Sequence, residues 1–121
     1  MRLFRQSDEH TCGVAVLKMV LAHYGIKRSF SELCEDLNVY TFLWNGTTPW
    51  KLKTELQNQG LKSKLTFNSN KCSAVNLVLL SNPLHWVVWY CKDNKWKEYD
   101  PNQGVSSNLK SNKFCLALAV Q

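Results

Sequence analysis

At 121 residues with 45% hydrophobic side chains, the chain has the length and apolar content for one globular domain, residues 1–121, and little room for a second. The net charge of +6 is uneven, with five basic and five acidic side chains in residues 1–50 and ten and four in the remainder; those later lysines alternate with apolar residues, which excludes the dense basic run of a nucleic-acid surface. No apolar stretch reaches the ~20 residues that span a bilayer, and MRLFR is too short for a signal peptide, so a cytoplasmic protein without a transmembrane segment is expected.

In chain order, CGVAVLKMVLAHY at 12–24 carries Val16, Met19, Val20 and His23 at helical spacing with further apolar residues on the neighbouring faces, and Gly25 supplies a stop. A nearly all-buried helix is expected. Ser29 and Glu32 form a capping-box pattern ahead of Phe30, Leu33, Cys34 and Leu37, which predicts a short second helix. YTFLWNG reads as a strand fragment or loop, with Asn45-Gly46 as a turn. Thr48 as cap and Pro49 as first helical residue open a third helix that runs through Leu52 and Leu56 to Gly60.

Beyond Gly60 the apolar period changes to two. LKSKLTF is an edge-like strand, AVNLVLL a short apolar strand, and HWVVWYC pairs with WKEYD across a hairpin tip at Asp93-Asn94. FCLALAV at 114–120 is expected to close the sheet. Helices grouped ahead of antiparallel strands predict an α+β domain with the two layers packed together.

The five cysteines are spread singly without a CxxC pair, which favours reduced thiols. Cys34, Cys91 and Cys115 read as small core hydrophobes, whereas Cys72 follows the polar run NSNK. Cys12 differs because it sits in the first turn of a helix, where unpaired backbone N–H groups and the helix dipole both favour thiolate. Gly13 keeps bulk away from an approaching carbonyl. A nucleophilic thiol needs an imidazole as base and a third group to fix that ring, and the chain offers only His10, His23 and His85.

His85 stands at the mouth of a strand, and the 86–91/95–99 hairpin would return Asp100 to it from the partner strand. The same residues also permit a strand-edge histidine and a turn opener before Pro101. His10 lies on an irregular segment, and His23 reads as a partly buried helix residue. A zinc site from His10, Cys12, His85 and Asp100 lacks the usual short pair spacings, so no metal or cofactor is expected. Gln6, a neutral donor six positions before Cys12, suits an oxyanion hole shared with the Cys12 N–H; it also reads as a plain arm residue. Asp8 and Glu9 read as surface residues, since their charge would oppose a thiolate.

QSDEHTCGVAVLKMVLAHYG, NGTTPWKLKTELQNQGL and HWVVWYCKDNKWKEYDPNQG together resemble the bacteriocin-processing peptidase family. These are papain-like cysteine peptidases that remove double-glycine leader peptides and often form the N-terminal domain of peptide-exporting, ATP-driven transporters. The resemblance covers nearly the whole chain and implies a papain-like fold. It assigns Cys12 as nucleophile, His85 as base, Asp100 as the residue orienting the base and Gln6 as oxyanion-hole donor. Leu84 departs from the pattern, standing where a glycine commonly precedes the histidine. The substrate implied is a peptide or small protein cut after Gly-Gly. Because the chain ends soon after its last strand, a separate peptide-exporting transporter is the partner expected. A non-hydrolytic peptide-binding domain and an isopeptidase or acyl transferase, which would share the acyl-enzyme step, remain as alternative readings of the same residues.

Overall fold

The computed structural model describes residues 1–39, 46–69, 73–81 and 83–121. The expected strand or loop over YTFLW, Asn45 of the expected turn, and Cys72 lie outside the described residues. Helix α1 spans Cys12–His23 and buries every residue from Cys12 to Leu21 except Lys18, as expected from an apolar surface on all sides. It ends at Gly25, which adopts φ +80°, with the Ile26 N–H returning to the Leu21 carbonyl at 2.9 Å and the Gly25 N–H to Ala22 at 3.0 Å.

Helix α2, Phe30–Leu37, carries the full capping box: the Glu32 N–H donates to Ser29 Oγ and the Ser29 N–H to Glu32 Oε1, both at 3.1 Å. Helix α3, Pro49–Asn58, is capped by the Thr48 hydroxyl, which accepts from the Lys51 N–H at 3.4 Å. Leu33 and Leu37 of α2, and Leu52 and Leu56 of α3, are buried in one cluster with α1.

The strands are β1 (Ser63–Thr66), β2 (Val75–Leu80), β3 (His85–Lys92), β4 (Lys95–Asp100), β5 (Gly104–Ser106) and β6 (Phe114–Val120). Among the described residues they form one six-stranded antiparallel sheet in the order β1-β6-β2-β3-β4-β5. The helices cover one face, where Leu77, Trp86, Val88 and Leu118 join the cluster of α1. The other face carries a smaller cluster of Val78, Leu80, Val87, Trp89 and Ala117, against which Leu109 and Phe114 pack. This is the α+β architecture expected from the sequence. Among the described residues no helix is long and apolar enough to cross a membrane.

Three details add to the expectation or differ from it. β6 lies inside the sheet, paired with both β1 and β2, because its last four residues are buried and satisfy backbone on both sides. β5 was not foreseen, since three residues of GVS carry too little alternation to read as a strand. Cys115 is exposed rather than a core residue: β6 pairs Leu116 with Leu79 but Phe114 with Leu80, so Cys115 is the extra residue of a β-bulge. Cys34 and Cys91 are only partly shielded.

Gly13 marks a close approach between layers. A Cβ placed there would stand 2.7 Å from Thr47 Cβ and Oγ1, and 3.3 Å from the Trp86 ring. Gly13→Ala is therefore expected to destabilise the fold by about 1–3 kcal/mol through overpacking, measured as a lowered urea midpoint at unchanged m-value. An unaltered midpoint would show that the Thr47 segment yields freely.

Candidate active site

The hairpin register sets the first half of the site. Asp93 and Asn94 adopt φ 54° and 60°, the left-handed pair that a two-residue turn requires, and Lys92 then pairs with Lys95 and Val88 with Tyr99. In that register Asp100 falls beside Val87, on the same face as His85 and two residues in from it. His85 Nε2 lies 2.7 Å from Asp100 Oδ1. The same oxygen accepts the backbone N–H groups of Asn102 at 2.8 Å and Gln103 at 3.2 Å. Asp100 is 3% exposed, so its orientation is set by these partners rather than by water.

Cys12 lies near enough for its sulfur to act on the His85 ring, and Nδ1 is the ring nitrogen that Asp100 leaves available. Burial works against the imidazolium, but the hydrogen bond to Asp100 and the Cys12 sulfur, together with the charges of those groups, outweigh it and push the His85 pKa up to about 9. For Asp100, burial would raise the pKa. The His85 hydrogen bond, the Asn102 N–H, the His85 charge and the Gln103 N–H prevail and hold the carboxyl well below the usual carboxylate range. The arrangement can therefore keep a protonated imidazole against the Cys12 sulfur at neutral pH.

Cys12 is 9% exposed at the start of α1. Thr11, the N-cap residue, gives its hydroxyl no cap bond to the helix. Its Oγ1 instead accepts from the Ser7 N–H at 2.9 Å and the Asp8 N–H at 3.1 Å. That hydroxyl pins the arm, and the first-turn N–H groups beside Cys12 stay clear of a capping side chain.

The same arm carries Gln6. Its backbone N–H donates to the Pro101 carbonyl at 3.2 Å, and Arg5 Nη1 donates to Asn102 O at 2.7 Å, so the arm docks on the turn that follows Asp100. Gln6 Nε2 donates to the Asp8 carbonyl at 2.8 Å, while Oε1 is buried without a hydrogen-bond partner. Reversing the amide would set two oxygens against each other, so this orientation is fixed. One Nε2 hydrogen is spent on Asp8, leaving a second for another acceptor.

A cavity of about 640 Å³ opens onto Cys12. Its walls are mainly apolar, with Leu79, Trp86 and Leu116 contributed by the sheet, while Trp50 and Leu84, 69% and 61% exposed, also face it. Trp86 Nε1 donates to the Thr47 carbonyl at 3.0 Å, fixing the segment before α3 as another wall. His10 lines the cavity with its ring 3.5 Å from the Glu9 carboxylate. His23 lies at the far end of α1, exposed and edge-on to Tyr90 at 4.9 Å.

The structure thus brings Cys12 beside the hydrogen-bonded pair His85 and Asp100 and docks Gln6 on the turn that follows Asp100. Sequence reasoning missed Glu98 and Lys110. Lys110 Nζ reaches Glu98 Oε2 at 2.8 Å and Asp100 Oδ2 at 3.3 Å. Their one sequence signal was the spacing of Glu98 and Asp100 along β4, which places both carboxylates on one face.

The sequence profile described as the peptidase C39 family matches residues 1–115. Three solved structures are similar over nearly the whole chain. The first is a double glycine motif protease from an AMS/PCAT transporter, in complex with its leader peptide: TM-score 0.83, 22% identity, covering 98% of this chain and 89% of that one. The second is the peptidase domain of Streptococcus ComA, a bi-functional ABC transporter involved in quorum sensing: TM-score 0.77, 24% identity, 98% and 96% covered. The third, the peptidase domain of Streptococcus mutans ComA, has TM-score 0.67 and 18% identity, with 100% and 99% covered. No curated protein sequence matches the chain.

The His85 contact makes the reactivity of Cys12 measurable against exposed Cys115. Iodoacetamide, followed by peptide mapping, should label Cys12 before Cys115, because a protonated imidazole beside a sulfur favours the nucleophilic thiolate. His85→Ala should remove that preference, and equal rates at Cys12 and Cys115 in the unaltered chain would refute the pairing. Because the His85 pKa is raised, the stability it contributes is present in full below ~6.5 and lost as pH rises through about 9. The gap in urea midpoint between the unaltered chain and His85→Ala should therefore shrink over that interval.

Proposed function

Because the chain belongs to the peptidase C39 family, we propose that it is a thiol peptidase that cuts an extended peptide after a Gly-Gly pair, with Cys12 as nucleophile, His85 as proton carrier, Asp100 as orienter and Gln6 as oxyanion donor. The observation that supports this reading is His85 held by Asp100 at 2.7 Å with Cys12 beside its ring, Cys12 itself lining an apolar cavity. The Cys12 thiolate attacks the scissile carbonyl carbon, and the oxygen that gains the electron pair is met by the Cys12 N–H and the second Nε2 hydrogen of Gln6. His85 gives its proton to the leaving amine as the C–N bond breaks. Water then attacks the thioester, His85 takes the water proton, and the thiolate leaves.

The cavity walls are compatible with that substrate class. The Thr47 segment packs directly against Gly13 of α1 beside Cys12, and a residue without a side chain at the cut is proposed by extension from the similar double glycine motif protease. The apolar cavity can hold larger side chains upstream of that residue. The similar AMS/PCAT and ComA domains are described as parts of transporters. By extension, this chain acts with a peptide-exporting transporter, on precursors delivered to it.

Peptide-library cleavage with products identified by mass should give a cut after Gly-Gly that is absent in Cys12→Ala. A preference for bulky residues immediately before the cut would refute the substrate assignment. Gln6→Ala should slow acylation by about a few hundredfold, on the order of 3 kcal/mol for one oxyanion donor, with a smaller change in KM. Unchanged single-turnover acylation would remove Gln6 from the hole.

A further inference from the structure

Behind His85, on the side of the sheet away from the helices, three charged side chains form a group that the reaction as written does not use. Glu98 is 1% exposed and Asp100 3% exposed, and both project from the same face of β4. Glu98 Oε1 accepts the Trp89 indole N–H at 3.0 Å and the Lys110 backbone N–H at 3.2 Å. Its Oε2 accepts Lys110 Nζ at 2.8 Å, and the same ammonium reaches Asp100 Oδ2 at 3.3 Å. Lys110 is thus held at both its backbone and its tip by Glu98, and it supplies the hydrogen bond to Asp100 Oδ2.

Two consequences follow. Asp100 Oδ1 is shared by His85, Asn102 and Gln103, all on one side of the carboxylate, so the contact at Oδ2 fixes its plane and with it the direction of the bond to the imidazole. The charge balance matters as well. Glu98, Asp100 and Lys110 sum to one negative charge, which a protonated His85 neutralises; without the ammonium, the two buried carboxylates would leave the group with two negative charges. Cys12 approaches the ring from α1, and Lys113 lines the small cavity of about 150 Å³ that His85, Asp100 and Lys110 share.

We propose that Lys110, clamped by Glu98, is a positioning residue for the peptidase reaction: acting through Asp100, it aims the imidazole and limits how strongly the buried carboxylates hold its proton. The second effect bears on catalysis because an imidazole that binds its proton too tightly is a poor acid toward the leaving amine. The inference rests on the roles given above to His85 and Asp100. It does not depend on which peptide is cut.

The test is a pH titration of the three histidine rings by NMR, with the His85 signal identified by its loss in His85→Gln; this needs no substrate. Lys110→Met should raise the His85 midpoint by about one pH unit, the low end of the effect of a nearby charge, and Lys110→Arg should restore most of it. Glu98→Gln should move the midpoint downward, because the ammonium charge then falls on Asp100 alone. With a Gly-Gly peptide, Lys110→Met should lower kcat by about tenfold or more at unchanged KM, a fall of the size expected when a proton-transfer group is misaligned. Opposite shifts in the two variants distinguish this role from a purely structural one, which would change the folded fraction and leave both midpoints in place. Midpoints unchanged in folded Lys110→Met and Glu98→Gln would overturn the proposal. Where Lys110→Met does not fold, Glu98→Gln decides alone: a downward shift supports it, and an unchanged or upward shift overturns it. Intact NMR shifts with no Gly-Gly cleavage would reject the substrate assignment and leave this inference standing.

Discussion

The carboxylate of Asp100 is where separate parts of the chain are made to agree. It receives the His85 ring from β3, the Asn102 and Gln103 amides from its own turn and the Lys110 ammonium from the segment before β6. The next residue, Pro101, offers its carbonyl to the arm that carries Gln6. A buried ion without such partners would cost several kcal/mol, so the fold is obliged to deliver all of them together. The reacting geometry and the folded geometry are one constraint.

That constraint explains why the two layers contribute differently. The helical layer holds Cys12 on an apolar cylinder buried from Cys12 to Leu21 except at Lys18. The sheet supplies His85 and Asp100 from the end of a hairpin whose two-residue turn fixes its register. Trp86 joins the layers, packed in the core cluster on one side and bonded through its indole to the Thr47 carbonyl on the other. A shift of one residue in β3 would send His85 and Trp86 to each other's faces, losing the site and the core contact in one step.

Local chemistry made much of this legible in the sequence. Caps at Ser29 and Thr48, the stop at Gly25 and the Asp93-Asn94 tip each act within a few residues, and the hairpin register followed from the tip, bringing His85 and Asp100 together before any long-range contact was known. What stayed hidden depends on partners distant in the chain. FCLALAV reads equally well as an edge or an interior strand, and only its pairing with both β1 and β2 decides. Glu98 is buried on the face where Leu109 and Phe114 pack, and both of those residues lie outside β4. Cys115 misled for a similar reason, since a bulge inverts the facing that period two predicts. Family membership rests on the profile match to residues 1–115; at 18–24% identity, the similar structures speak to the fold.

Thr11 carries a consequence for engineering. Its hydroxyl holds the arm and makes no cap bond to α1, so the helix forgoes about 1 kcal/mol that an N-cap side chain ordinarily contributes. A thermostabilisation campaign that scored helix ends alone would select aspartate here, gaining that bond while setting a carboxylate beside the thiol and releasing the loop that seats Gln6. With the roles proposed for Cys12 and Gln6, the uncapped end is where stability and turnover compete, and variants of this chain selected for heat resistance alone would be expected to drift toward folded, inactive proteins by way of this residue.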